Sequence, residues 1–170
     1  MSSESDRGKA VYEAVLDPKP EAIVVYCSDP RFQVAFGQFI EQELGLREGK
    51  YIPLVVGGGA GPLARPELLP KEFKFLKERF ELHREHYASL RRLILINHED
   101  CGYYRSLKDK IAGFVSAHLK VLAHQPREDL GLVAKVFSRL LSHLGVTVEL
   151  YYAKFADDGH TRIVFEKLGV

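Results

Sequence analysis

Two cysteines, one methionine and no tryptophan are found among the 170 residues of this chain. Two cysteines exclude a disulfide framework as the source of stability, so the fold must rest on a buried apolar core. A chain of this length can build one. Two cysteines in a reducing compartment point to metal binding or catalysis, the alternative being two buried structural thiols. An excess of one charge is also lacking: the net charge is +1, which gives no general electrostatic pull toward nucleic acid or membrane. No basic stripe with interleaved aromatics is present, and no nucleic-acid recognition motif. No apolar run approaches the ~20 residues of a transmembrane helix. The opening "MSSESDRGK" is polar, without a signal-peptide core. We therefore expect a cytoplasmic protein with neither nucleic acid nor membrane as partner. No repeat, linker or low-complexity segment interrupts the chain, so 1–170 is expected to be a single domain.

What is present are short β-branched runs that end in polar turns. "AIVVY" leads into Cys27 and "LILIN" into His98. Such runs read as buried strands, at 21–27 and 91–97. "YIPLVV" at 51–56 reads as another, which Pro53 weakens or places at a sheet edge. Helices are expected over 6–16, over 30–46 with Pro30 in the first turn, over 67–89, and over about 109–124 and 128–144. "GGGAGPLARP" reads as a loop. "VTVELYYAKFADDGHTRIVFEKL" reads as two strands around the turn "ADDGH". The fold class expected is α/β: a mainly parallel sheet flanked by helices, with a C-terminal strand pair.

In such sheets ligands collect beyond the carboxyl ends of the strands, at a topological switch point. Cys27 in "CSDPR" and His98 with Cys101 in "NHEDCGYYR" both follow strand ends. We therefore expect Cys27, His98 and Cys101 to converge. Thiolate and imidazole are the ligands zinc prefers, and three of them leave a fourth position for water or substrate. Asp29 is a candidate for that position or for the water in it. Arg31 can pair with the Asp29 carboxylate through its planar fork.

Together "CSDPR" and "HEDCG" resemble the Cys-x-Asp-x-Arg and His-x-x-Cys-Gly signatures of the β-class carbonic anhydrases. The strand before each motif, the helix after the first, "LGLREGK" before the second strand and the closing strand pair resemble that family too, and the compact length is similar to its short subgroup. The resemblance implies a β-carbonic anhydrase-like fold, zinc bound by Cys27, His98 and Cys101, and a catalytic dyad of Asp29 and Arg31. The activity it implies is reversible hydration of carbon dioxide to bicarbonate by a zinc-bound hydroxide, in a homodimer or dimer of dimers. Alternatives are a non-catalytic zinc-binding protein of this fold, or a related hydrolase acting on carbon disulfide or carbonyl sulfide.

The family usually carries Arg-Asn-Ala-Gly-Asn after the second strand, where this chain has "GGAGP", Gly58 to Pro62. Ala60 and Gly61 keep their places; the flanking polar side chains are gone. The loop is neither a Walker A loop nor a dinucleotide fingerprint, and reads as a strand-to-helix turn whose glycines let backbone approach the metal site. His83 and His86, at helical spacing among charged residues, read as a solvated helix face rather than a second metal site. Tyr103 and Tyr104 stand where the family often has small residues, and are expected to close the pocket or pack a dimer.

Overall fold

The computed structural model describes residues 12–64, 70–106, 126–141 and 145–169. In chain order the elements are β1 (Ala22–Cys27), α1 (Gln33–Gln42), β2 (Tyr51–Val56), α2 (Gly61–Ala64), α3 (Pro70–His86), β3 (Arg92–His98), α4 (Pro126–Leu141), β4 (Thr147–Phe155) and β5 (Ile163–Leu168). A short helical stretch also runs over 102–106.

The strands form one sheet in the order β2-β1-β3-β4-β5. The first four run parallel, and β5 returns antiparallel to β4. The expected fold class is therefore what the chain adopts. The β-branched runs of β1 and β3 fall in the interior of the sheet, where both faces must be apolar. Pro53 lies on β2, which is an edge strand, the position that tolerates a residue without a backbone donor.

Alternation along the strands divides the core between two faces. On one face Ile23, Val25, Leu93 and Leu95 pack with Leu76 and Phe80 of α3 and with Leu130, Val133 and Phe137 of α4. On the other, Ala22, Val24, Ile94 and Ile96 meet Phe36, Phe39 and Ile40 of α1 and Tyr151 of β4. Phe36 is fully buried, its ring within 5.1 Å of Tyr26 and 6.0 Å of Phe165 between centroids. Past the end of α1 the Glu43 and Leu44 N–H groups both donate to the Phe39 carbonyl, at 3.0 and 3.1 Å, and the Leu46 N–H donates to the Ile40 carbonyl at 3.0 Å, while Gly45 at φ +68 turns the chain away from the helix.

Three local expectations are corrected. Residues 12–16 carry no helix, and Tyr12 and Leu16 are largely exposed; an amphipathic segment with no surface to bury against gains little from helix formation. The rest of the helix expected over 6–16, the stretch 109–124, residues 65–69 and the last residues, 142–144, of the helix expected over 128–144 lie outside the described residues. Pro30 sits in a turn ahead of α1, not inside it. The Arg31 N–H donates to Asp29 Oδ1 at 3.0 Å and the Phe32 N–H to the Asp29 carbonyl at 3.2 Å, so a side-chain-closed turn delays the helix to Gln33. Within the expected loop, Gly61–Ala64 is helical and buried.

Phe36→Ala empties the center of the α1 face of the core. We expect it to cost about 3–5 kcal/mol, measured by urea denaturation of the full chain.

Candidate metal centre

The switch point of this sheet lies between β1 and β3, because the chain leaves β1 toward β2 on one side and later places β3 on the other. Cys27 ends β1 and His98 ends β3. Cys101 follows after a turn in which Asp100 adopts φ +51. The three side chains are buried, and their ligand atoms lie within 4.8 Å of one another. Among the described residues this is the group of His, Cys, Asp or Glu competent to hold a metal ion; His83 and His86 join none.

The two sulfurs are 3.7 Å apart and unbridged. Two thiolates at ~2.3 Å from one tetrahedral zinc would be separated by about 3.8 Å, so the spacing fits that ion. His98 supplies the sharper observation. Its Nδ1 donates to the Glu99 carbonyl at 2.7 Å, which fixes the tautomer and leaves a lone pair on Nε2. That Nε2 is buried and has no hydrogen-bond partner. The ring is held against Phe32, with centroids 4.2 Å apart, and near Phe36. An orphaned imidazole nitrogen beside two thiols is a donor set suited to zinc.

Contact between the thiols separates their acidities. A thiol proton from Cys101 stabilises the Cys27 thiolate, opposed by burial and aided by the backbone of Asp29 and Gly58, and holds Cys27 well below the ordinary thiol range. The same contact, with burial, pushes Cys101 up.

Asp29 stands beside the cluster, its Oδ2 4.0 Å from His98 Nε2. Arg31 Nε donates to Asp29 Oδ1 at 3.1 Å and Nη2 to Oδ2 at 2.8 Å, a bidentate pair. These bonds hold the Asp29 carboxyl below the ordinary carboxylate range against a smaller effect of burial. Gln33 fastens the turn from below, donating to the Cys27 carbonyl at 2.9 Å and the Asp29 carbonyl at 2.8 Å.

The Gly-rich loop presses backbone against the site. Gly59 has φ +55, and a Cβ there would stand 2.7 Å from the Ile96 carbonyl, 2.8 Å from Asn97 Oδ1 and 3.3 Å from the Cys27 nitrogen. Asn97 ties the loop down: its Oδ1 accepts from the Ala60 N–H at 2.9 Å, and its Nδ2 donates to the Pro126 carbonyl at 2.7 Å and to the Tyr104 hydroxyl at 3.2 Å. Tyr103 covers Gly58, and Tyr104 fills the space a side chain at Gly61 would need. Val56, Gly57, Pro62, Phe75, Leu76 and Tyr103, with Lys71 and Glu72, line a cavity of about 400 Å³.

Sequence reasoning placed Cys27, Asp29, Arg31, His98 and Cys101, and the fold brings all five together. It did not single out Asn97, Asp100 or Arg105. A buried amide at the end of a strand, one residue before a candidate ligand, was the available signal for Asn97. For Asp100 and Arg105 the sequence carries no comparable signal.

No protein-family model matches the chain, and no curated protein matches it. Solved structures do. Over 89% of this chain and 82% of theirs it is similar to one of two tetrameric β-carbonic anhydrases from the filamentous ascomycete Sordaria macrospora, at 14% identity and a TM-score of 0.48. Over 89% of this chain and 84% of the other it is similar to a carbonic anhydrase from Glaciozyma antarctica, at 20% identity and 0.48. Over 92% and 87% it is similar to β-carbonic anhydrase isoform I from the protozoan Trichomonas vaginalis, at 15% identity and 0.49.

Two outcomes follow from the geometry. Gly59→Ala forces a side chain onto a left-handed backbone and into the Ile96 carbonyl, and should lower stability by about 1–3 kcal/mol in urea denaturation. Arg31→Ala should make the protein more acid-labile. Arg31 depresses the folded-state pKa of Asp29 and also of Asp100, so their contribution is present above the ordinary carboxylate range and is lost as pH falls through the lowered values. Without Arg31 that stabilisation above the carboxylate range is largely gone, so less acid is needed to unfold the chain and the acid-unfolding midpoint followed by circular dichroism should move up.

Proposed function

We propose that the chain is a zinc enzyme that reversibly hydrates carbon dioxide to bicarbonate, with Cys27, His98 and Cys101 as the metal ligands and Asp29 with Arg31 as the catalytic pair. The observation that carries this reading is the buried, partnerless Nε2 of His98 beside two thiols, with a fixed carboxylate 4.0 Å away. A zinc ion held there would act as a Lewis acid and bring the pKa of a water toward about 7.

The chain's own residues define the rest. Cys27 and Cys101 would bind as thiolates, and the Glu99 carbonyl keeps His98 in the tautomer whose Nε2 can donate its lone pair. The Asp29 carboxylate stays ionised because Arg31 occupies both of its oxygens. It is therefore an acceptor, able to take a hydrogen bond from the reacting water and orient it. Phe32 and Phe36 exclude solvent from the His98 side, which suits a small apolar substrate and strengthens the polar contacts that remain. The polar side chains that the family resemblance would place at Gly58–Pro62 are replaced by backbone and by Tyr103, so carbon disulfide and carbonyl sulfide belong in the substrate panel.

We also propose a homodimer or dimer of dimers, in a reducing, cytoplasmic setting that keeps both cysteines as thiols. Exposed Tyr12, Leu16, Val34 and Val164 supply apolar surface, and β5 offers an open strand edge. Among the described residues no helix is long and apolar enough to cross a membrane.

Metal analysis joined to stopped-flow carbon dioxide hydration tests the activity. About one zinc per chain is expected, with lower metal content and lower stability in Cys101→Ser because site formation is coupled to folding. Asp29→Ala should keep zinc and lose on the order of a hundredfold in kcat/KM. Zinc without hydration at any pH would move the chain to the non-catalytic reading. For assembly, light scattering at micromolar concentration should report at least a dimer.

A further inference from the structure

Arg31 is gripped from two directions. Beyond its bonds to Asp29, its Nη1 donates to Asp100 Oδ2 at 2.9 Å, and its Nη2 donates to the Asp100 carbonyl at 2.8 Å. Four of the five guanidinium N–H groups are thereby accounted for, counting Nε and both Nη2 hydrogens. One residue, Asp100, supplies both a side-chain and a main-chain acceptor, and it does so from a left-handed backbone, φ +51, between His98 and Cys101. Its remaining oxygen accepts from Arg105 Nη1 at 2.6 Å. The result is a row of alternating charges, Asp29, Arg31, Asp100 and Arg105.

We infer that Asp100 is a positioning residue: it fixes the Arg31 guanidinium and, through it, the place of the Asp29 carboxylate beside Cys27, His98 and Cys101. Asp29 and Arg31 are two residues apart on one turn, and Arg31 is partly exposed. A pair so placed is worth little and moves easily when left to itself. Asp100 stands on the other turn of the site, the one that carries Cys101. Its grip on Arg31 ties the turn after β1 to the turn after β3, so the carboxylate is referenced to the cluster and not only to its own loop. Rotation of the guanidinium about Nε–Cζ would break the Nη bonds to both aspartates at once, leaving only the Nε bond to Asp29. Arg105 occupies the outer oxygen of Asp100, which leaves the inner one for Arg31 and balances the charge brought in by Asp100.

The consequence for activity rests on the carbon dioxide reading, while the structural arm does not. The experiment uses the full, zinc-loaded chain and two variants. Asp100→Gly removes the side chain at a φ that glycine adopts freely; Asp100→Asn keeps a turn-compatible residue and removes the charge. The first readout is the arginine side-chain nitrogen NMR spectrum. The parent should show distinct, slowly exchanging Arg31 Nη–H signals. These should merge and exchange rapidly in Asp100→Gly and show intermediate behaviour in Asp100→Asn, with backbone spectrum and zinc content unchanged. The second readout is hydration, in which Asp100→Gly should lose about tenfold to a hundredfold in kcat/KM, the effect expected of a misplaced catalytic group. Arg31 signals and rates equal to the parent in both variants would overturn the inference. A parent that binds zinc and hydrates nothing would sink the proposed activity, yet the NMR comparison would still decide whether Asp100 holds Arg31. Should Asp100→Gly fail to fold, Asp100→Asn decides on the same signals.

Discussion

Parallel pairing of β1 with β3 is the constraint on which the site depends. The two strands lie side by side in register, Ala22 opposite Arg92 through Val25 opposite Leu95. Their carboxyl ends therefore open onto the same cleft, at the point where the strand order reverses. The period of two along β3 then sorts consecutive residues to opposite faces. Asn97 goes to the side of α2 and α4 and organises the glycine loop; His98 goes to the side of α1 and its ring meets Phe32. A slip of one residue would exchange the two, placing an amide among the phenylalanines and the imidazole under the loop.

Burial sets the energetic terms of this arrangement. A polar atom removed from water without a partner costs about 1–3 kcal/mol. The chain satisfies nearly all such atoms here with short bonds from Gln33, Asn97, Arg31 and the backbone, yet keeps His98 Nε2 orphaned. The surrounding aromatic packing makes the ring immobile, so the lone pair is presented in one direction. Order of this kind is what the ligand role proposed for His98 requires.

How much of this could be read in advance depends on whether the signal was local. The strands were legible because interior parallel strands need unbroken β-branched runs, and Pro53 marked β2 as an edge for want of a donor. The convergence of Cys27, His98 and Cys101 followed from strand ends alone. The helical turn at Gly61–Ala64 was hidden by the glycines and proline of the loop, whose fold is decided by Asn97 and the tyrosines lying elsewhere in the chain. The absence of helix at 12–16 and the delayed start of α1 were hidden for the same reason: one depends on what the segment packs against, the other on a carboxylate that turns back on Arg31. Asp100 occupies an unremarked position inside the second motif, and only the three-dimensional approach of the two turns gives it a partner.

The glycines of the loop and the tyrosines after Cys101 share one volume. Tyr103 lies over Gly58 and Tyr104 against Gly61, so neither partner in either pair is free to change alone. A larger residue at Gly61 is admissible only after Tyr104 has become small, and at Gly58, where φ is +82, a side chain is strained even then. A small residue in place of Tyr104, with Gly61 kept, would leave a hole in the packing and take a hydroxyl from Asn97. Substitutions across each pair should thus be strongly non-additive. A lineage moving bulk from one side of the cleft to the other would have to pass through an under-packed intermediate, since the opposite order begins with a clash.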